Sequence, residues 1–189
     1  MINITQIRDA IFTGLNEHFT PEGEDNPTVI VVEANQSQQK PPYPHVTILF
    51  SGPYDAGRGH TGSVFIGDNG DDDIDYIRAK NEILSLSITA VSNSGTQSQE
   101  IAVKIADWFN WQGVDDLKEA GAVVSEVGAM TNRDVIIVDN FERRMGFDVR
   151  LRVLSSSSRK ESWIGQIERK RDDGSVEMID PNMKELIGQ

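Results

Sequence analysis

The stretch Gln97-Ser-Gln-Glu-Ile-Ala-Val-Lys-Ile-Ala-Asp-Trp-Phe-Asn-Trp-Gln-Gly113 decides how the rest of the chain is read. At 100° per residue, Ile101, Ala102, Ile105, Ala106, Trp108 and Phe109 fall within one arc of roughly 160°, an apolar stripe suited to lie on a sheet. Lys104, Asp107 and Asn110 fall opposite. The spacing predicts one amphipathic helix over 97–113. Trp111 breaks the pattern, because it projects on the polar side beside Lys104, where the chain's own core gives a large aromatic no reason to be.

Strands flank this helix. Upstream, Leu84, Leu86, Ile88 and Ala90 alternate with Ser85, Ser87 and Thr89, which predicts a half-buried antiparallel strand. Downstream, 114–120 reads as a short helix with Asp115 and Asp116 in its first turn and Gly121 at its end. A short strand over 122–127 and an edge or connecting strand over 134–139 follow. Phe147, Val149, Leu151 and Val153 then alternate with Asp148, Arg150 and Arg152, the pattern of a central antiparallel strand. Residues 155–158 are expected to turn into a last strand over 162–169, with Trp163 and Ile167 on one face.

The N-terminal half supplies the remaining elements. Ile4, Ile7, Ala10, Ile11, Leu15 and Phe19 recur at helical spacing between Asn3, a capping residue, and Pro21, a stop. Residues 28–33 and 45–51 read as strands separated by a proline-rich loop over 35–44. Residues 52–76 hold six glycines and six aspartates, five of them within 68–75, and are expected to form a long insertion with a hairpin around Asp68-Asn69-Gly70. The expected fold is a single α+β domain over 1–189. Its antiparallel sheet, with mixed pairing also compatible, is covered on one face by two main helices. The insertion 52–76 and a peripheral tail over 172–189, with at most one helical turn near 183–187, complete it.

Composition narrows the function. The 189 residues contain no cysteine, which removes disulfides, thiolate metal sites and a cysteine nucleophile and suits a reducing compartment. No run of about 18 apolar residues exists, and the first residues have neither a basic start nor an apolar core, so neither a membrane span nor a leader is expected. Thirty acidic and eighteen basic residues give a net charge of -12, which argues against general nucleic-acid binding. The charge is segregated: between Arg143 and Arg171 nine basic residues face three acidic ones, while 68–75 holds five aspartates. Separated charge regions allow docking in a fixed orientation.

Chemical motifs are weak. Gly57-Arg-Gly-His-Thr-Gly62 matches G-x-G-x-x-G, but the residues that follow read as strand and turn, not as the helix whose N-terminus holds a pyrophosphate. Asp71, Asp73, Asp75 and Glu82 imitate the ligand spacing of a calcium loop, yet its glycine position is Tyr76. His18, His45 and His60 lack metal-ligand spacing, and no nucleophile elbow occurs. No catalytic, cofactor or metal residue is assigned, and no enzyme is expected.

The order of elements resembles the neck and tail terminator proteins of long-tailed, contractile-tailed bacteriophages. The resemblance rests on the helix over 4–19, on Val31-Val-Glu-Ala-Asn-Gln36 and Pro41-Pro-Tyr-Pro-His-Val-Thr47, and on the strand 84–91. It continues through Ala106-Asp-Trp-Phe109, Glu142-Arg-Arg-Met-Gly-Phe-Asp-Val-Arg-Leu-Arg-Val153 and Trp163-Ile-Gly-Gln-Ile-Glu168. It implies a structural virion protein of the tail or neck, assembled in the host cytoplasm. Such a protein forms a homo-oligomeric ring, usually a hexamer, at the head-proximal end of the tail. The ring stops polymerisation of tube and sheath and meets neck and head-completion proteins, while genome DNA passes its lumen without specific binding. Segment 52–76 is longer than the loop expected for the family.

A ring requires unlike patches on adjacent copies, so the candidate interface residues are Trp111, Lys104, Asp107, Arg150, Arg152, Asp71, Asp72 and Asp73. Two other readings stand beside this one. The first is a different head-tail completion or tail-tube protein, and the second is a nucleotide- or ligand-binding α+β domain built on the glycine-rich segment.

Overall fold

The computed structural model describes residues 2–35, 37, 39–55, 63–68, 73–137, 140–162, 167–170, 173–174 and 176–179. The chain divides into two compact units, one of residues 1–61 and 80–155 and one of 62–79 and 156–189.

The larger unit begins with α1 (Ile4–His18), whose N-terminus is closed by the Asn3 side chain accepting from the Gln6 N–H at 3.1 Å. Its Ile7, Ile11 and Leu15 are buried against the sheet. Strand β1 (Ile30–Glu33) runs parallel to β2 (His45–Asp55), and β2 runs antiparallel to β4 (Asp73–Ser92). The sheet order is β1-β2-β4-β8-β5, with β5 (Ala122–Val127) antiparallel to β8 (Asn140–Ser162). The sheet is thus mixed.

Period-2 burial sorts the sheet into two faces. Val46, Ile48, Leu84, Leu86, Ile88, Phe147, Val149, Leu151 and Val153 join the helices in one core. The other face carries Thr47, Ser87, Thr89, Asp148, Arg150 and Arg152.

The decisive stretch departs from a single helix. Helix α2 (Gly95–Asp107) gives way to a π-helical turn over Trp108–Gln112, and α3 (Val114–Glu119) follows. The Gly113 N–H donates to the Trp108 carbonyl at 2.8 Å, the i→i+5 bond that marks the wider turn. The cause lies in the Trp108 ring. A Cβ on Gly113 would lie 2.3 Å from its Cε2, and one on Gly14 of α1 would lie 2.5 Å from its Cζ2. Only glycine allows both backbones to close on that indole. Trp108 and Phe109 are buried and meet edge to face at 5.0 Å. Gly121 closes α3 at φ +82°. Helices α1 and α2, with the shorter α3, make up the layer.

Strand β8 serves as a rail for three successive partners. After β5, the two-residue β6 (Thr131–Asn132) pairs with Gly146 and Met145, and β7 (Val135–Ile137) pairs with Glu142, Phe141 and Asn140. Together they form one long hairpin with the first part of β8; residues 138–139 lie outside the described set. Strand β8 continues through 155–158, so the turn expected there is strand instead. Four consecutive serines lack the glycine or proline that would force a reversal.

In the smaller unit, β3 (Ser63–Asp68) pairs antiparallel with the first part of β4, Ser63 opposite Ala79 and Asp68 opposite Ile74. Much of the expected insertion loop 52–76 is therefore strand: the end of β2, all of β3 and the start of β4. Alternating Val64 and Ile66 had offered that signal under the glycines and aspartates. The turn at Asn69-Gly70 lies outside the described residues. Strand β9 (Ile167–Lys170) pairs antiparallel with β10 (Val176–Ile179), which falls within the stretch 172–189 expected as a tail. Trp163 and the helical turn expected near 183–187 lie outside the described residues.

Candidate functional site

The polar face of the larger unit is tied together by Arg133. Its guanidinium donates to Ser87 Oγ at 2.9 Å, Thr89 Oγ1 at 3.2 Å and Asp148 Oδ1 at 3.0 Å. Its stem lies across Gly146, where a Cβ would stand 2.7 Å from Arg133 Cδ. Asp148 also accepts from the Ser87 hydroxyl at 2.7 Å, and the Ser87 and Arg133 hydrogen bonds hold its carboxyl below the usual 3.8. Arg133 thereby fastens the β6–β7 part of the hairpin to β4 and β8.

A second cluster secures the next turn of the hairpin. The Glu142 carboxylate is buried, and Lys40, the Tyr43 hydroxyl and Arg144 all donate to it, the last with Nε at 2.6 Å. A buried carboxylate so surrounded has its charge and lone pairs satisfied. Tyr43 stacks on His45 at 5.6 Å, and His45 is buried with Nδ1 at 3.2 Å from the Pro42 carbonyl. Burial lowers the His45 pKa below 6.5; the Pro42 bond opposes this, and Lys40 and Arg144 add to it. These groups wall a cleft of about 500 Å³ with Val32, Val91 and Ile137. Lys40, Tyr43 and Arg144 each already donate to Glu142, so the cluster's work is to hold loop 39–45 against the hairpin.

Beyond this anchor the hairpin is apolar and exposed. Ile136 is 66% and Phe141 57% accessible, and they stand opposite one another across the pair, between Val135 and Ile137. Arg143 lies over the Phe141 ring at 5.0 Å and donates to Asp134 at 2.8 Å. Side chains of this kind are left in water where a surface meets something else.

The helix layer exposes another apolar group. Trp111, on the π turn, is 81% accessible. Lys104 and Asp107 are exposed on α2 and face His18 at the end of α1. Burial first and Lys104 second lower the His18 pKa, while Asp107 works against them. Arg150 is paired with Glu126 across β8 and β5 at 2.9 Å, whereas Arg152 stands exposed opposite Val123. The arginines therefore share a face but differ in engagement. Asp73 opens β4, and Asp71 and Asp72 lie outside the described residues. The hairpin residues Ile136 and Phe141 were missed in the sequence, although the apolar run 135–138 directly before Asp139 was visible there.

The other sequence motifs resolve by position. Asp73, Asp75 and Glu82 lie along one extended strand, so they do not wrap an ion as a calcium loop does. Residues 57–62 are outside the described set. Among the described residues no group of three His, Cys, Asp or Glu is placed to hold a metal, and no helix is long and apolar enough to cross a membrane.

A search among curated proteins returned no match. Comparison with protein families matches residues 4–179 to the family described as phage neck terminator protein. That span takes in both units, from the first residue of α1 to the last of β10. With nearly the whole chain matched, the protein belongs to the phage neck terminator family and is a structural component of the phage neck.

Proposed function

We propose that copies of this protein form a ring at the head-proximal end of the tail, six in number by the resemblance stated above. The ring ends polymerisation of the tail tube and sheath and joins the tail to the neck. Neck and head-completion proteins are its partners on one side and tube proteins on the other. DNA passes through the lumen unbound, consistent with a chain of net charge -12.

The observation that supports this reading is the pair of unlike apolar projections on one compact unit. Trp111 leaves the helix layer, and Ile136 with Phe141 leaves the hairpin that Arg133 and Glu142 anchor from the polar face. Ring closure uses a different patch at each end of the contact, which one self-complementary patch does not supply.

Negative-stain microscopy of the protein mixed with tail tubes tests it. Wild type is expected to cap one end of each tube, and Trp111→Ala and Ile136→Ser to lose caps while keeping the wild-type melting temperature. Tubes that lengthen by stacking this protein would identify a tube component instead.

A further inference from the structure

The two faces of the larger unit carry a second unlike pair, set by charge. At the β5 side of the polar sheet face, Arg152 is flanked by its cross-strand partner Val123, 57% accessible, and by Leu154, 63% accessible. Its neighbour Arg150 has Glu126, but Arg152 makes no ion pair with any described residue. A cation between two exposed aliphatic groups is a surface prepared for an acidic partner with an apolar floor.

Such a surface exists on the opposite face. Helices α1 and α3 border a groove of about 440 Å³ whose floor is Ala10, Thr13, Gly14 and Ala120. Asp9, Glu17, Asp116 and Glu119 rim it, and no lysine, arginine or histidine lines it. The floor is made of small residues because α1 approaches the Trp108 ring there. It therefore accepts side chains of the size of valine and leucine.

The groove lies in the helix layer and Arg152 on the far side of the sheet, so within one chain they cannot neutralise each other. We propose that the Val123-Arg152-Leu154 patch of one copy docks on the α1–α3 groove of the next. Arg152 then meets the carboxylate rim, and Leu154 and Val123 cover the floor. The occupant is a second copy of this chain, chosen by charge complementarity, and the contact is head-to-tail, so it propagates around a closed ring. The proposal rests on the ring reading above and names the surfaces that meet in it.

The test is a charge exchange read by sedimentation equilibrium of the full chain across protein and salt concentrations. Arg152→Glu alone and Glu119→Lys alone should each weaken self-association at least about tenfold, because each places like charges across the contact. Arg152→Glu combined with Glu119→Lys should recover most of that loss. Both positions are exposed, so the single variants should keep the wild-type circular dichroism and melting temperature. Single variants that associate like wild type, or a double variant no better than the worse single, would overturn the pairing. Where the free protein is monomeric, the same three variants are scored by microscopy of tube caps. Wild-type caps that also form with Arg152→Glu refute this contact and leave the ring standing, whereas wild type that never caps tubes refutes the ring itself.

Discussion

Replacing Gly14 by alanine is a sharp test of why the helix layer has its shape. Gly14 is buried in the interior of α1, where the exchange ordinarily stabilises by about 0.8–1 kcal/mol through backbone entropy. Here the new methyl would stand 2.5 Å from Cζ2 of Trp108, well inside contact distance. The indole has little room to retreat, since it is buried and its Cζ2 is held equally close to Gly113. Overpacking of this kind costs about 1–3 kcal/mol. The two effects oppose each other, and the net expectation is a loss of roughly 0.5–2 kcal/mol, or a few degrees in melting temperature for a chain of this size. Urea unfolding followed by far-ultraviolet circular dichroism measures it, with an unchanged m-value showing that the unfolded state is not the cause. The companion variant Trp108→Phe removes the ring edge in question at its own cost. In that background Gly14→Ala should turn stabilising, a coupling of about 1–3 kcal/mol in the double-mutant cycle. If Gly14→Ala stabilises the otherwise wild-type protein, Trp108 is not the reason for the glycine.

Two further outcomes follow, one from the polar face and one from the lowered histidines. Gly146→Ala should displace the Arg133 stem and release its bonds to Ser87, Thr89 and Asp148; amide exchange of residues 131–137 should then quicken while that of α1 stays unchanged. The pH dependence has a definite sign as well: the pKa values of His18 and His45 are lowered in the fold, chiefly by burial, so the folded chain resists protonation. Their contribution is complete above the unfolded value of 6.5 and is lost as pH falls below it. Urea midpoints should drop from pH 7 to pH 5, and His45→Gln should flatten the slope; an equal slope in the variant would place the proton uptake elsewhere. The lowered Asp148 adds a second loss only below about pH 4, as acid reaches carboxylates held by Arg133 and Ser87.

Most of the core was legible because periodicity reports burial directly. The alternations at 84–90 and 147–153, Ile7, Ile11, Leu15 and Phe19 of the first helix's stripe and the six residues of the 101–109 stripe all enter one core, while Ile4 at the start of α1 stays exposed. What periodicity could not report was where a strand stops when its neighbours are polar. Serines 155–158, Gly52 and Gly67 read as turn and loop by composition, yet β8, β2 and β3 pass through them, because cross-strand pairing such as Gly67 opposite Asp75 is absent from a local window. The π turn was hidden for a similar reason. Nothing in Trp-Phe-Asn-Trp-Gln states that two glycines 99 positions apart from one another's context must meet one indole, since Gly14 and Gly113 become neighbours only in the fold. Of the candidate interface, Trp111 stood out because it violated the helical stripe. Ile136 and Phe141 did not, because an apolar run looks alike whether it is buried or presented.

The wide turn at Trp108–Gln112 also separates two kinds of genetic change. Its extra residue is spent in the backbone, between a carbonyl fixed by the buried Trp108 and an N–H fixed by Gly113. Substitutions at Asn110 or Trp111 leave both ends in place, so this rim of the protein is free to vary in chemistry as partners vary. Deleting one of these residues would close the turn to the ordinary i→i+4 bond and keep α3 in register, whereas a deletion within α2 would swing everything beyond it by about 100°. In that second case Leu117 of α3 and Ala122 of β5 would leave their places in the core. Related chains should therefore differ at 110–112 in residue type and by one residue in number, but keep the length of α2.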